Sequence, residues 1–263
     1  MRKIICIANQ KGGVGKTTTA INLSACLAVA ERKTLLIDGD SQGNATSGLG
    51  IDQERIKEKN FYHALIGQVP LTEVIVETTI PYLDIVPCNR DLIGVEVEFV
   101  HLKEREKKLR ELLKQLKGDY EFVIIDCPPS LGFLTINALV AADYLIVPLQ
   151  CEYFAMEGLG HLINTVRLIK ARLNPSLVLG GILLTMYDTR NILSRRVSED
   201  VRKYFGDKVF KTVIPRNVRL SECPSHGIPI ILYDIKSKGA MAYMELAQEI
   251  LSQGDNTWQQ KTL

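Results

Sequence analysis

Short apolar runs alternate with amphipathic stretches along almost the whole chain. Lys3–Ala8, Thr34–Asp38, Leu83–Pro87, Phe122–Asp126, Tyr144–Leu149, Leu179–Thr185 and Val209–Ile214 read as strands. Most are continuous rather than alternating apolar runs, the pattern of parallel strands covered on both faces. Between them, Thr17–Ala30, Leu131–Ala141, Gly158–Arg172, Leu193–Phe205 and Gly239–Leu251 carry apolar residues at helical spacing. Glu96–Lys117 reads as one charged helix, with Leu102, Leu109, Leu113 and Leu116 on the face turned to the sheet. The order predicts an α/β fold of three layers, a mostly parallel twisted sheet with helices on both faces. Residues 1–251 are expected to form one domain, followed by a polar tail over 252–263.

Composition narrows the class only slightly. A chain of 263 residues that is 46% hydrophobic and 24% charged has ample material for a core. The net charge of +2 excludes a grossly basic nucleic-acid coat but not a local basic patch. The six cysteines are scattered with no C-x-x-C pair, so buried thiols in a cytoplasmic protein are expected rather than zinc or disulfides. The four histidines form no ligand pattern. No apolar run reaches the roughly 18 residues of a membrane span, and the chain enters its first strand without a signal peptide.

The chemistry is concentrated at the ends of three strands. Gln10-Lys11-Gly12-Gly13-Val14-Gly15-Lys16-Thr17-Thr18 joins the first strand to the first helix. It departs from the usual G-x-x-x-x-G-K-[ST] in having Gln10 at the first glycine, followed by an extra lysine. Gly12, Gly13 and Gly15 let backbone N–H groups close on phosphate oxygens, aided by the helix N-terminus. Lys16 reaches the β- and γ-phosphates, and Thr17 offers its hydroxyl to Mg²⁺. Lys11 stands too early in the loop to need that phosphate from the same side. Its charge suits a nucleotide held by a partner subunit. Asp126, at the end of an apolar strand and before Cys127-Pro128-Pro129, is the expected Mg²⁺ carboxylate. Asp38 and Asp40 end the second strand. Asp40 is assigned to the attacking water, near the metal, and Asp38 to the Mg²⁺ shell or the loop.

These motifs together resemble the ParA/Soj-type chromosome- and plasmid-partition ATPases, of the deviant Walker A class that also includes MinD and the nitrogenase iron protein. The matching segments are Lys11–Thr18, Asp38-Gly39-Asp40-Ser41-Gln42-Gly43-Asn44-Ala45-Thr46, Phe122–Pro129 and Ile214-Pro215-Arg216-Asn217-Val218-Arg219-Leu220-Ser221-Glu222. Ser41 departs from the proline common after the second Asp. The resemblance implies ATP and Mg²⁺ as cofactors and an ATP-driven sandwich homodimer in which Lys11 acts across the interface. It also implies DNA binding without sequence preference, and a centromere-binding partner of the ParB/Spo0J type that stimulates hydrolysis. Lys11, Lys16, Thr17, Asp40 and Asp126 would form the catalytic centre, and Pro215 and Asn217 would flank the adenine. Arg190 and Arg219, with Arg216 between them, would contact DNA. A nucleoid-associated cytoplasmic protein follows.

The residues alone support DNA more thinly. Arg190, Arg195, Arg196, Arg202, Lys203, Lys208, Lys211, Arg216, Arg219, Lys236 and Lys238 crowd the C-terminal third, and phosphate contact needs only such a patch. The alternative, a membrane-positioning ATPase of the MinD type, requires a C-terminal amphipathic helix, for which Ser252–Lys261 offers a single Trp. An iron–sulfur carrier is excluded because Cys127, abutting Asp126, is expected in the core. Intact Asp40 and Asp126 argue against a scaffold that only binds nucleotide.

Overall fold

The computed structural model describes residues 2–253. Eight strands form one sheet: β1 (Lys3–Ile7), β2 (Thr34–Asp38), β3 (Val76–Glu77), β4 (Leu83–Val86), β5 (Phe122–Asp126), β6 (Tyr144–Gln150), β7 (Val178–Tyr187) and β8 (Val209–Pro215). Their order is β3-β4-β2-β5-β1-β6-β7-β8, and every pairing is parallel except β3 on β4 at the edge. The helices are α1 (Lys16–Val29), α2 (Asn44–Gly48), α3 (Phe61–Leu65), α4 (Gly94–Glu98), α5 (Lys108–Lys114), α6 (Phe133–Ala141), α7 (Ala155–Arg172), α8 (Ile192–Phe205), α9 (Arg219–Glu222), α10 (Ile230–Tyr233) and α11 (Lys238–Ser252). The expected α/β architecture is therefore present.

Strand residues alternate between two cores, as a pleated sheet requires. Ile5, Ile7, Leu36, Ile124 and Ile146 pack with α1 and α11, whereas Cys6, Leu35, Ile37, Val123, Ile125 and Val147 pack with α3, α5, α6 and α7. Both sets are apolar, which is why the strands read as unbroken apolar runs.

The single helix expected over Glu96–Lys117 is not formed. The chain leaves α4 at Glu98 and turns Phe99 into the core, edge-on to Phe133 at 5.5 Å. It then passes through Glu104 at φ 55 and restarts as α5. Buried Asn137 of α6 fixes that restart. Its Oδ1 accepts the Leu109 N–H at 3.1 Å, and its Nδ2 donates to the Arg105 carbonyl at 3.1 Å. Leu109, Leu113 and Leu116 are buried as expected, but Leu102 falls in the break and is exposed. The expected polar tail loses its first residue to α11, which runs to Ser252, and residues 254–263 lie outside the described residues.

Register fixes the site. Ile7 pairs with Asp126 and Asp126 with Asp38, so the phosphate loop and both acidic strand ends emerge together at the carboxyl edge of the sheet. Ligands of open α/β sheets bind at that edge.

Candidate functional site

The loop from Ala8 to Gly15 is held from both sides. Asn9 donates to the Pro148 carbonyl at 2.7 Å and accepts the Lys11 N–H at 3.0 Å. Buried Thr185, at the end of β7, donates to the Val14 carbonyl at 2.8 Å. Gly15 caps α1 at φ 87, in the left-handed region that a side chain disfavours. Lys16 begins the helix, is 6% exposed, and donates to the Lys11 carbonyl at 3.1 Å. Burial lowers its pKa, and the nearby Asp126 carboxylate opposes the shift. A buried ammonium closed over its own loop is a charge awaiting an anionic partner.

Asp126 is its electrostatic counterpart. The side chain is fully buried, and neither carboxylate oxygen has a partner in hydrogen-bonding geometry. Burial drives its pKa well above the carboxylate range, with Asp38 adding to the rise, while the Thr17 hydroxyl, near enough to be felt, counters it. An orphaned acid beside a hydroxyl fits a hard divalent cation, which takes carboxylate and hydroxyl oxygens. Asp126 and Thr17 are the residues that would hold Mg²⁺.

The two acids of β2 separate in role. Asp38 Oδ2 accepts both the backbone N–H and the hydroxyl of Thr46 at 2.7 Å, and burial pushes its pKa up to about 6. It therefore ties down α2, the loop half of its expected role. Asp40 is 7% exposed and lines the pocket beside the glycine loop; its Oδ1 accepts the Gln42 N–H at 3.1 Å. Gly39 between them donates to the Asp126 carbonyl at 3.0 Å, and a Cβ there would lie 2.6 Å from that oxygen. Only glycine lets the two strand ends approach this closely.

Two pockets share this edge. One, of about 360 Å³, is lined by Gly12, Gly13, Gly15, Lys16, Thr17, Thr18, Asp40, Gln42, Asn44, Pro129 and Met186. The other, of about 150 Å³, is lined by Thr185, Pro215, Asn217, Leu220, Tyr243 and neighbours. Gly15, Thr18 and Met186 belong to both, so the two run together as a polar end and a more apolar end. Expected residues from Gly12 to Thr18 and from Pro215 to Asn217 are thus brought into one cleft, with Val14 buried beneath the loop. The buried Oδ1 of Asn217 has no partner. Met186, at φ 49, was not foreseen. Nothing in a sequence marks a methionine held in the left-handed region one residue before a strand ends.

Lys11 stays on the exposed rim, where its Nζ pairs with the Glu152 carboxylate. Arg190 and Arg216 line a surface groove with Lys238 that meets the more apolar pocket at Pro215 and Arg216, whereas Arg219, on α9, does not line it. All three arginines are exposed. Cys127 is buried with its Sγ 3.4 Å from that of Cys6, in keeping with the expected core thiol.

A parallel sheet whose first loop carries a glycine-lysine-threonine turn beside a strand-end aspartate defines a phosphate-loop nucleoside triphosphatase. A family model described as AAA domain matches residues 2–179. The chromosome partitioning protein ParA of Myxococcus xanthus is 57% identical over 95% of this chain and 88% of that protein. The sporulation initiation inhibitor protein Soj of Bacillus subtilis is 54% identical over 97% of this chain and 100% of that protein. Among solved structures, cobyrinic acid a,c-diamide synthase from Mycobacterium smegmatis with bound ADP and magnesium superposes with a TM-score of 0.84 at 39% identity, covering 95% of this chain and 94% of that one. The chain belongs to the ParA/Soj family of chromosome-partitioning ATPases. As a member it is an ATPase.

Proposed function

We propose that this ATPase partitions DNA by cycling between a monomer and an ATP-bound sandwich dimer. Lys16 and the glycine-loop N–H groups hold the phosphates, and Pro215 and Asn217 flank the adenine. Bound Mg²⁺ would supply positive charge to the phosphate oxygens. Asp126 and Thr17 would hold it, and the phosphate charge would relieve the buried Lys16 ammonium. Asp40, on the wall of the phosphate pocket, orients the attacking water and accepts its proton. Asp38 keeps that acid in place through Thr46 and α2.

The observation that carries the dimer is the position of Lys11. Its side chain lies on the rim with Glu152, outside the pocket that Lys16 serves. Tyr153 and Phe154, 76% and 66% exposed, follow Glu152 directly, an aromatic surface suited to a second copy. The dimer doubles the basic surface of Arg190, Arg216 and Arg219, and DNA is bound through phosphates without base readout. A ParB/Spo0J-type protein triggers hydrolysis and release, which places the ATPase on the nucleoid in the cytoplasm. No described helix is long and apolar enough to cross a membrane. The segment that a MinD-type anchor would use lies beyond Gln253, outside the described residues.

The test is DNA retention and gel filtration of wild type and Lys11→Ala with ATP, ADP or no nucleotide. Wild type should dimerise and retain DNA only with ATP. Lys11→Ala should bind ATP and stay monomeric. Dimerisation of the variant at wild-type ATP concentrations would refute the cross-subunit role.

A further inference from the structure

Two of the three arginines that the partition reading gives to DNA, Arg190 and Arg219, are already paired within the chain. The Arg190 side chain is 87% exposed, yet its Nε and Nη2 donate to the two carboxylate oxygens of Asp188 at 3.1 and 2.9 Å. Asp188 Oδ1 also accepts the Arg190 backbone N–H at 3.0 Å, so the pair is built into the turn after β7. The adjacent guanidinium holds the Asp188 pKa down at about 2, so the acid is ionised at any neutral pH. Arg219 is paired twice. Its Nη1 donates to Glu222 Oε2 at 2.9 Å, and its Nε lies 3.7 Å from Asp234 Oδ2. The Tyr233 ring sits 6.0 Å from the guanidinium, and its hydroxyl donates to the same Glu222 oxygen at 3.2 Å.

A guanidinium has two donor edges, Nε with one Nη and the two Nη together, and a carboxylate on either edge takes donors that a phosphodiester would otherwise use. Arg190 has its Nε–Nη2 edge filled. Any phosphate approaching either arginine must displace the carboxylate or bind beside its negative charge. A surface built for maximum phosphate affinity would leave these guanidinium groups unpaired or surround them with further cations.

We propose that Asp188 and Glu222 are intramolecular competitors for the DNA phosphates, weakening each arginine's contact so that the complex can be released in every ATP cycle. The inference rests on the partition reading, in which Arg190 and Arg219 meet DNA. Its sign distinguishes it from the opposite role. A carboxylate that merely aims the arginine at DNA helps binding, and neutralising it weakens the complex. A competitor's removal tightens it.

The amide variants Asp188→Asn and Glu222→Gln keep the shape and an accepting oxygen for the Arg190 N–H and the Tyr233 hydroxyl, but lose the charge. Exposed ion pairs of this kind change an equilibrium roughly 1.4- to 5-fold each. With two copies per dimer, each variant should bind DNA about 2- to 30-fold more tightly. The measurement is the DNA affinity of the full chain, loaded with ATP, on two unrelated duplexes at several salt concentrations, with the dimer fraction determined in parallel. Glu31→Gln, at the far end of α1, controls for the simple gain in net charge. Tighter binding by both variants, beyond that of Glu31→Gln, supports the proposal. Unchanged or weaker binding overturns it. Arg219→Ala and Arg190→Ala are measured alongside. If neither weakens DNA binding, the arginine reading itself fails. If they weaken it while the amide variants do not strengthen it, only the competitor role fails.

Discussion

Asn217 and Asp126 are among the described residues with buried polar atoms that have no partner in the protein, as are Ser24, His63 and Arg110. Each such atom costs about 1–3 kcal/mol unless something pairs with it, and Asn217 and Asp126 both belong to segments that border the cleft. Asn217 Oδ1 is an acceptor without a donor, and an exocyclic amino group of a purine supplies one. Asn217→Ala should therefore raise the dissociation constant for ATP about tenfold, the equivalent of about 1.4 kcal/mol, and should narrow any preference for ATP over GTP. Competition titration with a fluorescent ATP analogue reads both. Unchanged affinity and selectivity would move base recognition elsewhere in the pocket. The sequence named Asn217 only through its resemblance. Its orphaned oxygen became visible once β8 and the turn after it had placed the residue beside Pro215.

At the scale of elements, the start of β1 depends on an acid from another connection. Asp143, between α6 and β6, accepts the Ile4 N–H at 2.9 Å. Burial raises its pKa, opposed by that hydrogen bond. A carboxyl whose folded pKa is raised binds more protons folded than unfolded, so its contribution is full below the unfolded value and is lost as pH rises through the folded one. Asp143→Asn keeps an accepting oxygen and removes the charge. Its melting temperature should exceed that of wild type at pH 8 and converge on it, or fall below it, near pH 4. A gain of about 1 kcal/mol would correspond to about 2–4 °C in a chain of this size. Differential scanning at the two pH values checks the crossing. A deficit at pH 8 would mean the charged form is favoured. Helix boundaries show the same dependence on distant partners. The heptad-like leucines from Leu102 to Leu116 predicted one helix, but Asn137 and Phe133, on α6, divide it.

Over the whole molecule, Arg190 and Arg216 share a groove with Lys238 that Arg219, on α9, does not line, and carboxylates hold two of the three arginines. On the proposed partition cycle, affinity for DNA depends on joining two copies of this surface. The logarithm of DNA affinity should fall linearly with the logarithm of salt, with a slope of about −0.9 per phosphate neutralised, and should be equal for unrelated duplexes. Arg219→Glu should lower affinity on both duplexes alike and leave ATP-driven dimerisation intact. A marked preference for one duplex, or an unaltered salt slope in Arg219→Glu, would contradict the non-specific phosphate surface.

The sequence by itself determined seven of the eight strands (not the two-residue edge strand β3), the α/β layering, the phosphate loop and the acids at two strand ends. Each of these is written in neighbouring residues: the apolar period, the glycine spacing, a charge that stops an apolar run. Tertiary structure alone decided what those acids do. Asp38, Asp40 and Asp126 look alike as letters. Parallel register puts Asp38 against Asp126, Thr46 then claims Asp38, Gln42 claims one oxygen of Asp40, and Asp126 is left with none. The ion pairs of Lys11 with Glu152 and Arg219 with Asp234 join segments whose meeting no local pattern announces, and Met186, one residue before β7 ends at Tyr187, lines both pockets. Local periodicity fixes elements through short-range sterics and burial. The pairing of charges depends on which loops the assembled sheet brings within a few ångströms, and that is a property of the whole fold.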